Sequence, residues 1–210
     1  MLYDITPPIT LRTQVWPGDT PITREVLCDM AKGDTITLST LRSTVHLGAH
    51  ADGPNHYSHP APGVGERPLA HYLGPCTLID ADIPRAQRVA LQHLRLSNPA
   101  RPFPHPRVLI RTSSFPDFEH WNSDFAALDP SLIEALAAAN VTTVGIDTPS
   151  VDLQDSKDLP AHHAIARHDI SILEGLALAN VPAGDYELIA LPLKLIGFDA
   201  SPIRAVLRSL

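Results

Sequence analysis

The sequence contains little cysteine, few aromatic residues and no excess of basic charge. Its two cysteines, Cys28 and Cys76, lie far apart among 210 residues and in no metal-binding spacing. We therefore expect two buried thiols and no disulfide framework. The 16 Lys and Arg residues are outnumbered by 23 Asp and Glu residues, which gives a formal net charge of −7. Because a nucleic-acid backbone is bound through clustered positive charge, a nucleic-acid partner is not expected.

Long apolar runs are also missing. The chain has no run of about 18 consecutive apolar residues, the length typical of a membrane span. Its first segment, MLYDITPPIT, has an acidic residue and prolines where a secretory signal has a basic start and an apolar core. These features predict a cytoplasmic protein without a membrane partner.

The chain is long enough to fold around a core of its own. Of its 210 residues, 44% are hydrophobic, and this length needs no disulfide or metal to stabilise a fold. The 21 prolines and 11 glycines stay below the share of roughly 25–30% that indicates low complexity. Since no internal repeat and no Gly- or Ser-rich linker divides the sequence, we predict one domain over residues 1–210.

Strand-like segments outnumber helical ones. Apolar segments rich in β-branched residues predict strands at 76–80, 107–112, 141–146 and 186–191. Residues 35–45 alternate Ile36, Leu38 and Thr40 with polar neighbours, which predicts a half-buried strand. This strand would run directly into a histidine-rich segment.

One helix has clear boundary signals. Residues 130–139 carry a capping residue at Asp129 and a proline in the first turn at Pro130. Residues 86–96 are a further helix candidate, and residues 53–69, dense in proline and glycine, predict a long ordered loop. Together these elements predict an α/β fold with a mixed sheet.

Histidine is concentrated in two short segments. Four of the 11 histidines fall within residues 46–59 and three within residues 162–168. The first segment reads HLGAHADGPNH, and on a continuing strand His46, Gly48, His50 and Asp52 would share one face. Gly48 would leave room there for an ion and its water. Two imidazoles and a carboxylate with an open position are typical of a catalytic zinc site.

His56 follows a Gly-Pro turn and lies beyond the regular strand. It can therefore face the same site from another direction and act as an acid or base instead of a ligand.

The second segment, DLPAHHAIARHDISILEGL, contains the adjacent His162 and His163. Neighbouring side chains point in different directions, so at most one of them binds the same ion, and periodicity does not say which. Glu174 lies in an apolar run, where an ionised carboxylate must bind a metal or form a buried salt bridge. Asp147 and Asp152 follow a strand end, a common place for ligand-facing groups, but turn-forming and capping roles are the expectation for them.

Trp16 is one of two tryptophans and precedes a Pro-Gly turn. Exposed on a loop, it would suit a flat aromatic ligand. Packing in the core is the alternative that the local sequence leaves open.

The segment HLGAHADGPNH resembles the HxGTHxDxPxH signature of the cyclase family of metal-dependent hydrolases, with Ala49 in place of the usual threonine. The resemblance continues through GIDTPSVD, LPAHH, ILEGL and YELIALPLKLIGFDASPIRAVLR, and so spans nearly the whole chain. It implies a swivelling β/β/α single domain of the α/β class. It also implies a homodimer with two Zn²⁺ ions per subunit, for which Mn²⁺ or Co²⁺ could substitute.

The resemblance further implies a set of metal ligands at matching positions: His46, His50, Asp52, His162 and Glu174. His46, His50 and Asp52 would bind one zinc, and Asp52 would also reach the second. His162 would bind the second zinc, and Glu174 would contact both.

Within the family, the chain resembles the arylformamidases of bacterial tryptophan degradation. That similarity implies hydrolysis of N-formyl-L-kynurenine to L-kynurenine and formate by a zinc-bound hydroxide. His56 matches the proton donor and acceptor, and Trp16 matches a substrate-contacting position. Two alternatives remain open: another hydrolase of the family that opens a cyclic amide such as isatin, and a non-catalytic homologue that binds a metal or a small molecule.

Overall fold

A single large sheet draws strands from both ends of the chain. The computed structural model describes residues 1–210. The strands are β1 (Leu2–Asp4), β2 (Thr23–Cys28), β3 (Leu38–Arg42), β4 (His50–Asp52), β5 (Leu73–Asp80), β6 (Arg88–Val89), β7 (Arg107–Arg111), β8 (Ala127–Leu128), β9 (Thr143–Ile146), β10 (Ser171–Glu174), β11 (Gly184–Ile189), β12 (Ala200–Pro202) and β13 (Val206–Ser209). The α-helices are α1 (Pro130–Ala138) and α2 (Pro160–Arg167). Short 3₁₀ turns lie at Met30–Lys32, Pro54–His56, Val64–Glu66, Leu69–His71 and Leu91–His93.

Nine strands form the main sheet, in the order β1-β13-β11-β5-β7-β9-β10-β4-β12. Its centre is parallel, because β5, β7, β9 and β10 pair in parallel with one another. The flanking strands pair antiparallel. Parallel neighbours need crossover connections, and α1 and α2 lie in two of them. The α/β fold with a mixed sheet is therefore confirmed.

Apolar side chains of the central strands alternate between two cores, one on each face of the sheet. Val108 and Ile110 of β7 pack into the core that contains the helix residues Leu132 and Ile165, whereas Leu109 faces the opposite core. Because both faces of the sheet are buried, side chains on either side of a strand must be apolar, which explains the near-continuous apolar sequence of these strands. The four predicted strands are confirmed, with ends that differ by at most three residues.

Helix α1 follows its boundary signals closely. The Asp129 carboxylate accepts a hydrogen bond from the backbone N–H of Ser131 at 2.8 Å, and Pro130 begins the helix. Asn140 adopts a left-handed conformation (φ +60°) just beyond the last turn. The predicted helix at 130–139 is thus confirmed, and residues 53–69 form the predicted loop, interrupted only by 3₁₀ turns.

The second helix candidate, residues 86–96, is wrong. Ala86 has a positive φ of 58°, which no right-handed helix contains. Val89 then pairs in parallel with Leu128, so the backbone forms a short two-stranded sheet. The segment is apolar because Val89 and Leu94 are buried in the core that also contains Leu132 of α1 and Ile165 of α2.

The strand predicted at 35–45 is shorter and more exposed than expected. It covers only Leu38–Arg42 and pairs with β2 in a separate hairpin whose residues are almost all exposed. Ile36 and Leu38 remain 55% and 47% exposed, because no layer of this chain packs on the hairpin. The alternation of apolar and polar residues predicted the strand correctly, but the expectation that one of its faces is buried was wrong.

The two cysteines are both free, as expected, but only Cys76 is buried. Cys28 is partly exposed because it ends β2 of the uncovered hairpin. Neither helix combines the length and apolar character that crossing a bilayer requires.

Candidate metal centre

Strand register places three of the candidate ligands side by side. His50 and Asp52 alternate along β4, so both point to one face. In the antiparallel pairing of β10 with β4, Glu174 lies directly opposite His50. His162 comes from the first turn of α2, and His46 approaches from the loop before β4.

His46 does not share a strand with His50, contrary to the sequence-based expectation. The backbone turns at Gly48, which has a left-handed conformation (φ +58°), and the strand begins only at His50. A Cβ at Gly48 would point toward Pro7 and Ile9, so the missing side chain leaves no space for an ion. Gly48 instead supplies the turn that brings His46 back toward the site.

The carboxylates of Asp52 and Glu174 lie between the imidazoles. Oδ1 of Asp52 is 3.2 Å from Nδ1 of His46 and 3.5 Å from Nε2 of His50, whereas its Oδ2 is 3.7 Å from Nε2 of His162. Oε2 of Glu174 is 3.2 Å from Nε2 of His50, and Oε1 is 3.8 Å from Nε2 of His162. Each carboxylate therefore presents one oxygen toward His50 and the other toward His162.

Each imidazole has one ring nitrogen facing this cluster and the other facing an acceptor outside it. The outer acceptors are Asp199 for Nε2 of His46 at 3.0 Å, the Gly48 carbonyl for Nδ1 of His50 at 2.9 Å, and Asp152 for Nδ1 of His162 at 2.8 Å. Metal-binding histidines are held in this way, with the outer N–H donated to a carboxylate or carbonyl. The inner nitrogens are thus the ones free to bind an ion.

Several inner atoms lie close to one another but form no hydrogen bond of acceptable geometry. Nε2 of His50 and both carboxylate oxygens of Asp52 are buried and unsatisfied. Such orphaned polar atoms are rare in folded proteins because their desolvation is costly. A divalent cation would satisfy them, and mixed imidazole and carboxylate donors suit zinc, manganese or cobalt. The residues present therefore fit a metal.

The electrostatics of the cluster agree with this fit. Burial alone would lower the pKa of the imidazoles, but the neighbouring carboxylates outweigh it and raise the pKa of His46 to about 9 and of His162 to about 10. The same contacts outweigh the effect of burial on Asp52 and hold its pKa well below the usual range. In the absence of a metal, protons on His46 and His162 balance the carboxylates, so binding a cation would release protons.

The structure brings together His46, His50, Asp52, His162 and Glu174. Of the adjacent pair, His162 is buried in the cluster and His163 is exposed on α2. Glu174 lies among imidazoles and forms no pair with Lys or Arg; it also accepts the N–H of Val151 at 2.7 Å.

Asp152 has the capping role that was expected, whereas Asp147 forms neither a turn nor a cap and instead bonds the residues that follow the neighbouring strand β7. Asp147 accepts the backbone N–H groups of Thr112 and Ser113. Asp152 accepts those of Ala161 and His162 at the start of α2.

His56 lies at the rim of the cluster, on the 3₁₀ turn Pro54–His56. Its ring centroid is 4.3 Å from that of His46, and its Nδ1 is 3.8 Å from Oδ2 of Asp199. Burial, with His46 nearby, lowers the pKa of His56 despite the attraction of Asp52. His56 is also close enough to Asp52 and His162 for the three to hold an ion. Geometry alone therefore allows His56 to serve as an acid and base or as a ligand.

A cavity of about 520 Å³ opens onto the cluster. Aromatic side chains form one of its walls: Trp16, Phe115, Phe118 and Trp121. Trp16 packs edge-on against Trp121, with ring centroids 5.6 Å apart, and the indole N–H of Trp121 donates to Gln154. Such a cavity is large enough for a small aromatic molecule.

Sequence reasoning found Trp16 but missed the rest of this wall. The signal was present, because the segment FPDFEHWNSDF holds four of the seven phenylalanine and tryptophan residues of the chain. No periodicity marks the segment, which is a loop between β7 and β8. Only the folded chain shows that it packs beside Trp16.

Comparison with known proteins agrees with this geometry. The Cyclase family model matches residues 3–153. A kynurenine formamidase of Bordetella petrii is 44% identical over 209 residues, which cover 100% of this chain and 98% of that protein. A solved structure described as a potential metal-dependent hydrolase with cyclase activity is 28% identical, with a TM-score of 0.80 over 99% of this chain and 96% of that one.

Isatin hydrolase A from Ralstonia solanacearum has the same fold, with a TM-score of 0.82 at 20% identity over 99% of this chain and 91% of that chain. The family model covers most of the sequence, and the formamidase relative matches it from end to end. The chain belongs to the cyclase family of metal-dependent hydrolases.

Proposed function

We propose that this protein hydrolyses N-formyl-L-kynurenine to L-kynurenine and formate in tryptophan degradation. The observation that carries the proposal is the cluster of orphaned imidazole and carboxylate atoms at the base of an aromatic-walled cavity. The full-length similarity to a kynurenine formamidase supports the choice of substrate. An aryl ring would lie against the aromatic wall while the formyl group reaches the cluster.

We propose two Zn²⁺ ions as the cofactor. His46, His50 and Asp52 would hold one ion, His162 would hold the other, and Asp52 and Glu174 would reach both. The two oxygens of each carboxylate, directed toward different imidazoles, support this division. A bound divalent ion lowers the pKa of its water and polarises a carbonyl oxygen, the two requirements of amide attack.

His56 would carry the proton that amide cleavage requires. The leaving group is an arylamine, which is a poor leaving group as an anion and so must be protonated as the C–N bond breaks. The Nδ1 atom of His56 faces Asp199, which leaves Nε2 as the atom for proton exchange. An imidazole suits this task because it gains and loses protons near neutral pH.

Trp16 would contact the aryl ring of the substrate. Its side chain is 36% exposed at the cavity, although its other edge packs on Trp121 and Phe125. The formyl group is the smallest acyl group, so a narrow approach to the metals would favour it over larger acyl groups.

The test is hydrolysis of N-formylkynurenine by the purified protein, followed by the absorbance of the aryl product. Activity should be lost on chelation and return with zinc. Isatin is assayed in parallel, because isatin hydrolase A from Ralstonia solanacearum has the same fold. Turnover of isatin without turnover of N-formylkynurenine would favour the alternative hydrolase, and turnover of neither by zinc-loaded protein would favour a binding protein.

We also propose that the protein is a homodimer with a single domain over residues 1–210, located in the cytoplasm. The hairpin of β2 and β3 supports the dimer, because two-stranded hairpins are only marginally stable alone. This hairpin exposes a set of large apolar side chains: Val26, Leu27, Met30, Ile36, Leu38 and Leu41. Contiguous exposed apolar surface is typical of interfaces between subunits. Light scattering coupled to size-exclusion chromatography measures the mass directly.

A further inference from the structure

We infer that Asp152 is a positioning residue that determines how tightly the ion at His162 is held. This inference rests on the proposed two-metal arrangement and assigns a role to a residue outside the ligand set. Asp152 is completely buried, and it contacts the ligand histidine on the side facing away from the cluster.

The carboxylate of Asp152 is saturated by donors on both oxygens. Oδ2 accepts the ring Nδ1–H of His162 at 2.8 Å and the backbone N–H of the same residue at 3.1 Å. Oδ1 accepts from Arg88 at 2.6 Å and from the backbone N–H of Ala161 at 3.2 Å. A carboxylate held by four donors has no freedom to turn away from the imidazole.

This contact decides which nitrogen of His162 is available. Because Nδ1 must carry a hydrogen to donate to Asp152, Nε2 of the neutral ring is bare. Nε2 is the atom that lies 3.7 Å from Asp52 and 3.8 Å from Glu174. Asp152 thus fixes both the tautomer and the direction of the ring.

Asp152 also fixes the backbone that carries the ligand. Helix α2 has Leu159 at its N-cap, a residue with no capping side chain and a positive φ of 39°. The missing cap is replaced by Asp152, which accepts the N–H groups of the first turn. Arg88, which also donates to the carbonyl of Leu128 and to Ser156, anchors the carboxylate from the neighbouring two-stranded sheet.

The substitution Asp152→Asn tests the role with little change of shape. The amide nitrogen of the new residue would avoid the cationic Arg88 and face His162 instead. There it would donate to Nδ1 and move the ring hydrogen to Nε2, the atom that must be bare to bind a metal. Zinc dissociation constants are measured by competition with a chromophoric chelator, and Co²⁺-loaded protein gives an absorption spectrum of the ligand field.

We expect one Zn²⁺ to bind about 10–100-fold more weakly in D152N than in the unsubstituted protein, with a changed Co²⁺ spectrum. In the His162→Ala background, D152N should cause no further loss, because the residue acts through that imidazole. Asp80→Asn is the matched control. It neutralises another Arg-paired carboxylate, one that bonds Arg111 and none of the proposed metal ligands, and should leave zinc affinity unchanged.

Two results would overturn the inference: unchanged zinc affinity in D152N, or an equal loss with and without His162. If D152N does not fold, Arg88→Gln is measured instead, and a smaller loss of zinc affinity in the same direction is expected. If D152N is unfolded and R88Q has unchanged zinc affinity, Asp152 serves only to cap α2, and the inference is overturned. If the unsubstituted protein binds a single Zn²⁺, the two-ion proposal is overturned. The zinc affinities of D152N with and without H162A would still show whether Asp152 acts through His162.

Discussion

Oδ2 of Asp199 lies 3.0 Å from Nε2 of His46. This contact occupies the outer nitrogen of the imidazole and leaves Nδ1 directed at the carboxylate of Asp52. Asp199 is held in place by backbone pairing, since its carbonyl accepts the N–H of Gly53 at 2.7 Å and the next residue begins β12.

Replacing Asp199 with alanine should therefore weaken zinc binding or lower kcat by about 10–100-fold, because His46 loses the acceptor that orients it. Zinc competition and steady-state kinetics measure the two effects. Asp185→Ala is a matched control: Asp185 has the same 48% exposure and lies beside His105, outside the site. Equal effects of the two substitutions would contradict a specific role for Asp199.

Replacing His56 with asparagine should lower kcat for N-formylkynurenine by roughly 10²–10⁴-fold, because the proton for the leaving arylamine is lost. Zinc content, measured by elemental analysis, should stay the same. His163→Asn controls for the loss of an imidazole near the site, since His163 is exposed on α2. Loss of zinc from H56N would place His56 among the ligands, a role that its distance to Asp52 and His162 allows.

Replacing Trp16 with alanine should mainly raise KM, by roughly 2- to 10-fold, because a stacking surface contributes about 0.5–1.5 kcal/mol. Trp16→Phe should retain much of the affinity, since a ring still packs against Trp121. Initial rates over a range of substrate concentrations separate KM from kcat. An unchanged KM in W16A would remove Trp16 from the substrate site.

Gly175→Ala should destabilise the fold by about 2 kcal/mol or more. Gly175 has a φ of +65°, and a Cβ there would collide with the carbonyl oxygen of Gly48. Since that carbonyl orients His50 and Gly175 follows Glu174, zinc affinity should fall as well.

Chemical denaturation and zinc competition measure the two effects of G175A. Gly33→Ala is the control, because its φ of +98° is also positive but no atom lies within 4 Å of its Cβ. Equal losses of stability would show that backbone strain alone, and not the close approach to Gly48, explains the effect.

Cys76 should not react with thiol reagents in the folded protein at pH 8. Burial raises the pKa of its thiol to about 12, so the reactive thiolate is absent at that pH. Cys28 is partly exposed, and we expect one reactive thiol in native protein and two in denaturant by an Ellman titration. Two reactive thiols in the native state would show that β5 opens readily.

The sequence was sufficient to predict those elements whose formation depends on neighbouring residues. Asp129 and Pro130 mark the start of α1 because capping depends on residues within one turn. The apolar run of β7 predicts a buried strand because its two faces both contact cores. The same local reasoning failed for residues 86–96, whose apolar residues satisfy a short strand pair as readily as a helix.

What the sequence determined about this protein is the class of fold and the chemistry of its ligands, because residue types and short spacings carry both. Periodicity did not distinguish His162 from His163, and the family resemblance assigned the ligand role to His162. The tertiary structure gives the reason, since the side of α2 that packs against the sheet carries His162. It also decided that His46 arrives from a turn at Gly48, and that Asp152 and Asp199 hold the outer nitrogens of two imidazoles. These contacts join segments up to 153 residues apart, and they are set by strand register and helix packing, which no local pattern encodes.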